Sequence, residues 1–303
     1  MNILVLGGNG FIGSHVVDSL LERGHKVRVF DRSPEHYRAP LSQVEYRQGH
    51  FDDTFQLAEA LHGVDAVCHL ISTTVPSTSN LDVVKDVQSN LVNTLYLLEQ
   101  MRKKNVYRIL YLSSGGAAYG NANSTPVREG DPLNPISSYG VVKVTIEKYL
   151  FMYQQLYGLQ PIVLRPSNPY GPRQGHVGVQ GLIGTLLAKA LAGEMLEIWG
   201  DGSVVRDYIY VADLASLCVK SLESDACGVF NAGSGIGHSI NDIVSILQEV
   251  INKPLQVKYS EGRDCDVKKI ILDITRAMHQ FDWQPSVSLH DGIRNHMAWL
   301  RSQ

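Results

Sequence analysis

Two rhythms of apolar residues alternate along the chain. Short runs recur first: "NILVL" (2–6), "KVRVF" (26–30), "VEYRQ" (44–48), "VDAVCHL" (64–70), "RILYLS" (108–113) and "PIVLR" (161–165). Their length and β-branched content fit strands buried in a parallel sheet. Between them, apolar positions three and four apart predict helices at about 11–23, 54–62, 81–104 and 137–157. The alternation predicts an α/β protein with a doubly wound parallel sheet and helices on both sides. The second half is less regular, with helical patterns at about 178–192, 211–223, 239–251 and 288–300 between short strands and Gly/Pro loops. It reads as a smaller C-terminal lobe closing over the carboxyl ends of the strands, where ligands of such sheets bind. The expected division is 1–170 and 171–303, with a soft boundary and segments free to interleave.

Composition changes this picture little. Of 303 residues, 44% are hydrophobic and 19% charged, an ordinary balance for a chain with a large core. A formal net charge of -3 argues against nucleic acid or an anionic membrane as partner. Cys68, Cys218, Cys227 and Cys265 are scattered without a C-x-x-C pair, which points to a reducing compartment. No run reaches the length of a membrane span, and the opening "MNILVLGGNG" reads as a strand entering a turn, not a signal peptide. A cytoplasmic protein is expected.

Chemistry enters at "GGNGFIG", where Gly7, Gly10 and Gly13 follow the first strand and open a helix. Glycines permit the tight turn and let backbone approach a pyrophosphate at a helix N-terminus. The next strand ends at Asp31, 21 residues past Gly10, placed to accept hydrogen bonds from ribose hydroxyls and to repel a 2′-phosphate. Strand, turn, helix and acid together predict a Rossmann-type dinucleotide site for NAD. Arg32, beside Asp31, weakens the choice of NAD over NADP.

A second motif lies in "SSYGVVKVTIEKYL" (137–150), where Tyr139 and Lys143 stand one helical turn apart. Val141, Val142, Ile146 and Leu150 form the expected apolar stripe, with Glu147 and Lys148 on the other side. Free tyrosine has a pKa near ~10, too high for a base at neutral pH. Positive charge from a lysine and an oxidised nicotinamide would lower it. Y-x-x-x-K occurs often by chance; its place after a dinucleotide fold and the Ser-rich strand end "YLSSGG" is what argues for catalysis.

With these motifs the chain resembles the extended short-chain dehydrogenase/reductase family, most closely its nucleotide-sugar 4-epimerases. The likeness spans nearly the whole chain: Gly7–Gly13, "HLIS" (69–72), "SNLVNTLYLLE" with Asn90, "SSGGAAYG" (113–120), Tyr139/Lys143, "LRPSNPYGPRQ" (164–174), "GDGSVVRDYIYVADLA" (200–215) and "GRDCDV" (262–267). The resemblance implies tightly held NAD, oxidation of a sugar at C4, and return of hydride to the opposite face. Tyr139 would be base and then acid, and Lys143 would bind the nicotinamide ribose. Phe11, Ile12, Phe51, Leu70, Ile71, Ser72, Asn90, Ser113 and Pro166 would join the cofactor site. Asn168, Arg206 and Arg263 would meet the substrate's pyrophosphate, which suits an amide donor and two guanidiniums. A homodimer through helices 81–104 and 137–157 is also implied, with Leu91, Leu95, Leu98, Phe151 and Tyr153 either in that interface or facing the sheet.

The chain departs from the family in two places. The position of the hydroxyl that helps the tyrosine is Gly115, leaving Ser114, Ser113 or a water to serve; Ser114 is favoured. In "QGHFDD", His50 replaces the usual acid near the adenine, leaving Asp52 or backbone to compensate. "SSGGAAYG" holds no acid, which argues against 4,6-dehydration or uronate decarboxylation. Ile270, near the sugar C2 substituent by the same resemblance, favours UDP-glucose/UDP-galactose over N-acetylhexosamines, while Arg173 and His176 keep a uronate open. The competing readings are an NAD(P)H-dependent reductase of a 4-keto-6-deoxy nucleotide sugar and a non-catalytic dinucleotide-binding regulator.

Overall fold

A computed structural model describes residues 1–122, 124–175, 181–261 and 269–303. Arg263, Cys265 and His176 fall outside the described residues. The first half runs β1 (Asn2–Leu6), α1 (Phe11–Glu22), β2 (Lys26–Asp31), β3 (Val44–Gln48), α2 (Thr54–Ala60), β4 (Ala66–His69), α3 (Val83–Asp86), α4 (Asn93–Lys103), β5 (Arg108–Leu112), α5 (Gly115–Tyr119), α6 (Ser138–Tyr157) and β6 (Gln160–Pro166). The second half adds β7 (Asn168–Tyr170), α7 (Leu182–Ala192), β8 (Leu196–Trp199), β9 (Val205–Tyr210), α8 (Val211–Glu223), β10 (Gly228–Ala232), β11 (Gly237–Ser239), α9 (Ile240–Ile251), β12 (Val257–Ser260), β13 (Lys269–Ile270), α10 (Thr275–Phe281) and α11 (Leu289–Arg301).

Seven strands pair in the order β10-β6-β5-β4-β1-β2-β3, all parallel. Strand order reverses between β1 and β4, the crevice where such sheets bind ligands. Alternate residues of β1 enter different cores: Ile3 and Val5 on one face, Leu4 and Leu6 on the other. Val16, Val17 and Leu20 of α1 pack on the first face with Leu214, Leu217 and Leu222 of α8. Leu57 of α2, Leu97 and Leu98 of α4, and Val142, Ile146 and Leu150 of α6 cover the second. A third core, including Ile183, Leu187, Ile198, Ile243, Leu247 and Ile293, holds the C-terminal elements together. Both α8 and β10 come from beyond residue 171, yet β10 forms the edge of the main sheet and α8 packs on its face. The sequence pattern did not reveal β10, whose five residues "GVFNA" begin with glycine and carry a polar Asn231.

One expectation about the helices is refined and another corrected. The helix expected at 81–104 is a continuous helical run over 83–103, in which a π-helical turn, Val87–Val92, joins α3 to α4. Ser89, Asn90, Asn93 and Thr94 each donate a side-chain hydrogen bond to the carbonyl four residues back, competing with the regular ladder. In α6, Glu147 is buried and Val141 is 49% exposed, the reverse of the expected stripe. Glu147 faces inward because Arg165 of β6 meets it there, Nη2 to Oε2 at 2.6 Å and Nε to Oε1 at 3.1 Å.

The residues expected at a dimer face divide. Leu98 is fully buried and Tyr153 6% exposed, its hydroxyl donating to Glu99, so these two face the sheet side. Leu91, Leu95 and Phe151 are half-buried against the same core. The exposed apolar side chains of α4 and α6 are Tyr96, Val141, Met152, Leu156 and Tyr157.

Candidate active site

β1 delivers the glycine turn to the carboxyl edge of the sheet. Gly7 adopts φ 82°, the left-handed region that glycine enters without steric cost. A Cβ on Gly13 would collide with the Gly7 carbonyl oxygen, so only glycine lets the first turn of α1 close on the loop. Asp31, at the end of β2, accepts from the Asn9 amide (3.1 Å) and the Ser33 amide (3.0 Å), which fixes its carboxylate beside the turn. Arg32 is exposed next to it. Asn9 Oδ1 is enclosed without a hydrogen-bond partner among the described residues.

On the other side of the crevice, Ser137 caps α6 and brings Tyr139 and Lys143 into its first turns. Lys143 is buried; its ammonium donates to the Leu112 carbonyl at 2.8 Å and lies 4.9 Å from the Tyr111 ring centroid and 5.5 Å from that of Tyr139. Burial pulls the lysine down to about 8, while the charges of Glu147 and Asp86 push it back up. The phenol of Tyr139 is pushed up to about 12, first by burial. Hydrogen bonds with the hydroxyls of Ser114 and Ser72 act downward on it, and the Asp86 charge acts upward. The expected lowering of Tyr139 by Lys143 is therefore not seen in the free protein: the ammonium sits against the ring, and desolvation dominates.

Ser114 caps α5 and reaches Tyr139, whereas the Ser113 hydroxyl is spent on Glu147 Oε1 at 2.5 Å. Gly115 cannot carry the missing hydroxyl, since a Cβ there would lie 2.8 Å from Leu272 Cδ1 and 3.0 Å from the Pro166 carbonyl. Ser72 is the hydroxyl that sequence reasoning put only with the cofactor; the structure adds contact with the phenol.

A cavity of about 650 Å³ joins these parts. Gly7, Gly10, Phe11, Ile12, Gly13, Leu70, Ser72, Ser113, Ser114, Tyr139, Lys143, Pro166, Asn168 and Arg206 all line it. Asp31, Arg32, Phe51, Ile71, Asn90 and Ile270 do not. Phe51 is buried with its ring 5.1 Å from that of His69. Ile71 and Asn90 border a small neighbouring pocket behind Tyr139, and the Asn90 amide is engaged by Thr73, Thr74 and Asp86. Ile270, the last residue of β13, is buried in the core and paired in register with Arg206. Asn168 donates to the Asp207 carbonyl at 2.8 Å. His50 is exposed and joins no cluster at the cavity.

The chain fits a dinucleotide. The glycine cradle would be filled by any Cβ at Gly13, and Asn9 Oδ1 waits enclosed beside Asp31. Ser167 Oγ and Gln174 Oε1 are likewise enclosed without partners among the described residues, and both residues line the cavity's far side. Asp31 beside the glycine turn and Lys143 across the crevice are the residues that would meet the ribose hydroxyls of a bound dinucleotide. NAD, when bound, supplies the hydride-accepting carbon and, oxidised, a positive charge.

The NAD dependent epimerase/dehydratase family matches residues 3–233. The UDP-glucose 4-epimerase of Thermotoga maritima, solved with UDP-glucose, is 35% identical with a TM-score of 0.93, covering 100% of this chain and 99% of that one. The UDP-N-acetylglucosamine 4-epimerase of Methanobrevibacter ruminantium, in complex with UDP-N-acetylmuramic acid, is 30% identical with a TM-score of 0.94, covering 100% and 98%. A dTDP-4-dehydro-6-deoxyglucose reductase of Escherichia coli is 33% identical over 301 residues, 96% of this chain and 95% of its own. The chain belongs to the NAD-dependent epimerase/dehydratase family. Within it, this is an NAD-dependent nucleotide-sugar epimerase.

Proposed function

We propose that the enzyme interconverts the C4 epimers of a UDP-hexose, UDP-glucose and UDP-galactose, through a transient 4-keto sugar. The observation that carries this reading is the convergence of Tyr139, Ser114 and Lys143 on one cavity with the glycine turn at one end and Asn168 and Arg206 at the other. Tyr139 takes the proton of the C4 hydroxyl as hydride leaves that carbon, then returns it when hydride comes back to the opposite face. Ser114 shares the phenol's hydrogen bond and steadies the sugar oxygen; Lys143 holds ribose hydroxyls, its ammonium anchored on the Leu112 carbonyl. Asn168 and Arg206, with Arg263 outside the described residues, bind the pyrophosphate. The dinucleotide half corresponds to about 1–170, completed by α8 and β10, and the rest of 171–303 binds the nucleotide sugar.

Likeness to the Thermotoga maritima enzyme, solved with UDP-glucose, supports the choice of hexose. Incubation with UDP-glucose, UDP-galactose, UDP-N-acetylglucosamine and UDP-glucuronate, without added cofactor, tests the choice by NMR. UDP-glucose and UDP-galactose equilibrate fastest if the reading holds; turnover of only an acetylated or acidic sugar would replace the substrate. The Escherichia coli relative favours a second reading, reduction of a 4-keto-6-deoxy nucleotide sugar. That reading requires consumption of NAD(P)H equal to product, which a separate incubation of a 4-keto-6-deoxy nucleotide sugar with added NADPH reports by absorbance. We further place the enzyme in the cytoplasm as a homodimer, supported by free Cys68, Cys218 and Cys227 and by the exposed apolar side chains of α4 and α6. No helix among the described residues is long and apolar enough to cross a membrane.

A further inference from the structure

Behind Tyr139, α3 ends on Asp86, a side chain with 0% exposure. Its carboxylate gathers three donors from three segments. Oδ1 accepts from Thr74 Oγ1 at 2.5 Å and Asn90 Nδ2 at 2.9 Å, and Oδ2 accepts from Ser138 Oγ at 2.6 Å. Thr74 lines the cavity in the loop that also carries Ser72, and Ser138 is the residue before Tyr139. Among the described residues no cation lies within ion-pair distance of Asp86. An asparagine would satisfy the same neighbours without the cost of burying a charge, so the charge itself requires a reason. The π-helical turn that follows, Val87–Val92, is a distortion often found at working sites, and here it presents Asn90 to the same carboxylate.

We propose that Asp86 is a positioning residue of the active site: it locks the cavity loop at Ser72–Thr74 to the first turn of α6 and holds a fixed negative charge behind the Tyr139/Lys143 pair. The proposal rests on the acid–base reading of that pair given above. The charges and titrating groups around it are few. Lys143 faces Glu147 on its own helix, Asp86 from α3, Tyr111 from β5 and His69 from β4; Tyr139 faces Ser114, Ser72 and Asp86. A negative charge at Asp86 favours the protonated phenol and the protonated amine alike. Losing it moves both titrations in one direction, which loss of a hydrogen bond alone does not do.

The test compares pH profiles of kcat for wild type, Asp86→Asn and Ser138→Ala, each checked for retained NAD. Asp86→Asn keeps hydrogen-bonding capacity toward Thr74, Asn90 and Ser138 but removes the charge; both limbs of its profile move to lower pH by about one unit. Ser138→Ala keeps the charge and cuts one tether; kcat falls about tenfold with the limbs in place. An Asp86→Asn profile with unmoved limbs overturns the proposal. If that variant does not fold, Thr74→Val combined with Ser138→Ala reads the tethering, and an unchanged kcat overturns it. Tyr139→Phe keeps the two levels apart: activity surviving in that variant defeats the acid–base reading beneath, whatever Asp86 does.

Discussion

Lys143 shows how one side chain is pulled by opposing forces. Burial disfavours its charge, the Leu112 carbonyl accepts from its ammonium, and two carboxylates favour the protonated form. The outcome is a lysine brought down to about 8, charged below that pH and neutral above it. Epimerisation is therefore expected to fall as pH rises through about 8, because the charge that holds the ribose disappears. Rates of UDP-galactose conversion across the neutral and alkaline range check this, and Lys143→Met removes the limb while lowering kcat by about 10²-fold or more. At this scale, spacing made much of the site legible. Gly7, Gly10, Gly13, Tyr139 and Lys143 announce themselves through local periodicity, and Ser114 through its place at a strand end. Ser72 at the phenol, Asp86 and buried Glu147 did not, because their partners lie on other segments: Tyr139, Ser138 and Arg165. A charged residue on a helix is read outward by default; only an arginine at the end of a buried strand, in "PIVLR", signals otherwise.

Among elements, α6 and β6 are joined by more than apolar packing. Arg165 donates to Glu147, to the Tyr119 hydroxyl at 2.9 Å and to the Glu129 carbonyl at 3.3 Å, and Tyr119 in turn donates to Asn231 Oδ1 at 2.7 Å. Removing one partner leaves a buried charge unpaired, so Glu147→Ala is expected to cost about 3–5 kcal/mol in denaturant unfolding. Replacing both, with Glu147→Met and Arg165→Met, should recover most of that loss, since the uncompensated charge goes as well. Hydrophobic rhythm alone made many elements legible: six strands and α1, α2, α6, α7, α8, α9 and α11 fall within a few residues of expectation. The π-helical turn inside 81–104 was not, since apolar periodicity is blind to Ser, Asn and Thr side chains that bond back to their own helix. α10, at Thr275–Phe281, was likewise too short for its pattern to stand out.

For the whole molecule, the second copy is the next question. Tyr96, Val141, Met152 and Leu156 leave an apolar face on α4 and α6, with Leu156 61% exposed. Light scattering of the wild type should give a dimer mass, and Val141→Glu with Leu156→Glu a monomer, because two charges set in an apolar contact cost more than it yields. Architecture also has a temporal side. The outermost parallel strand, β10, pairs with β6 from Gly228↔Ile162 to Ala232↔Pro166, so β6 stays an open edge until the ribosome has delivered some sixty further residues. A nascent chain halted earlier would expose Ile162, Val163 and Leu164 to neighbouring chains. Truncation after residue 170 is thus a recipe for aggregation, not for a minimal cofactor-binding fragment.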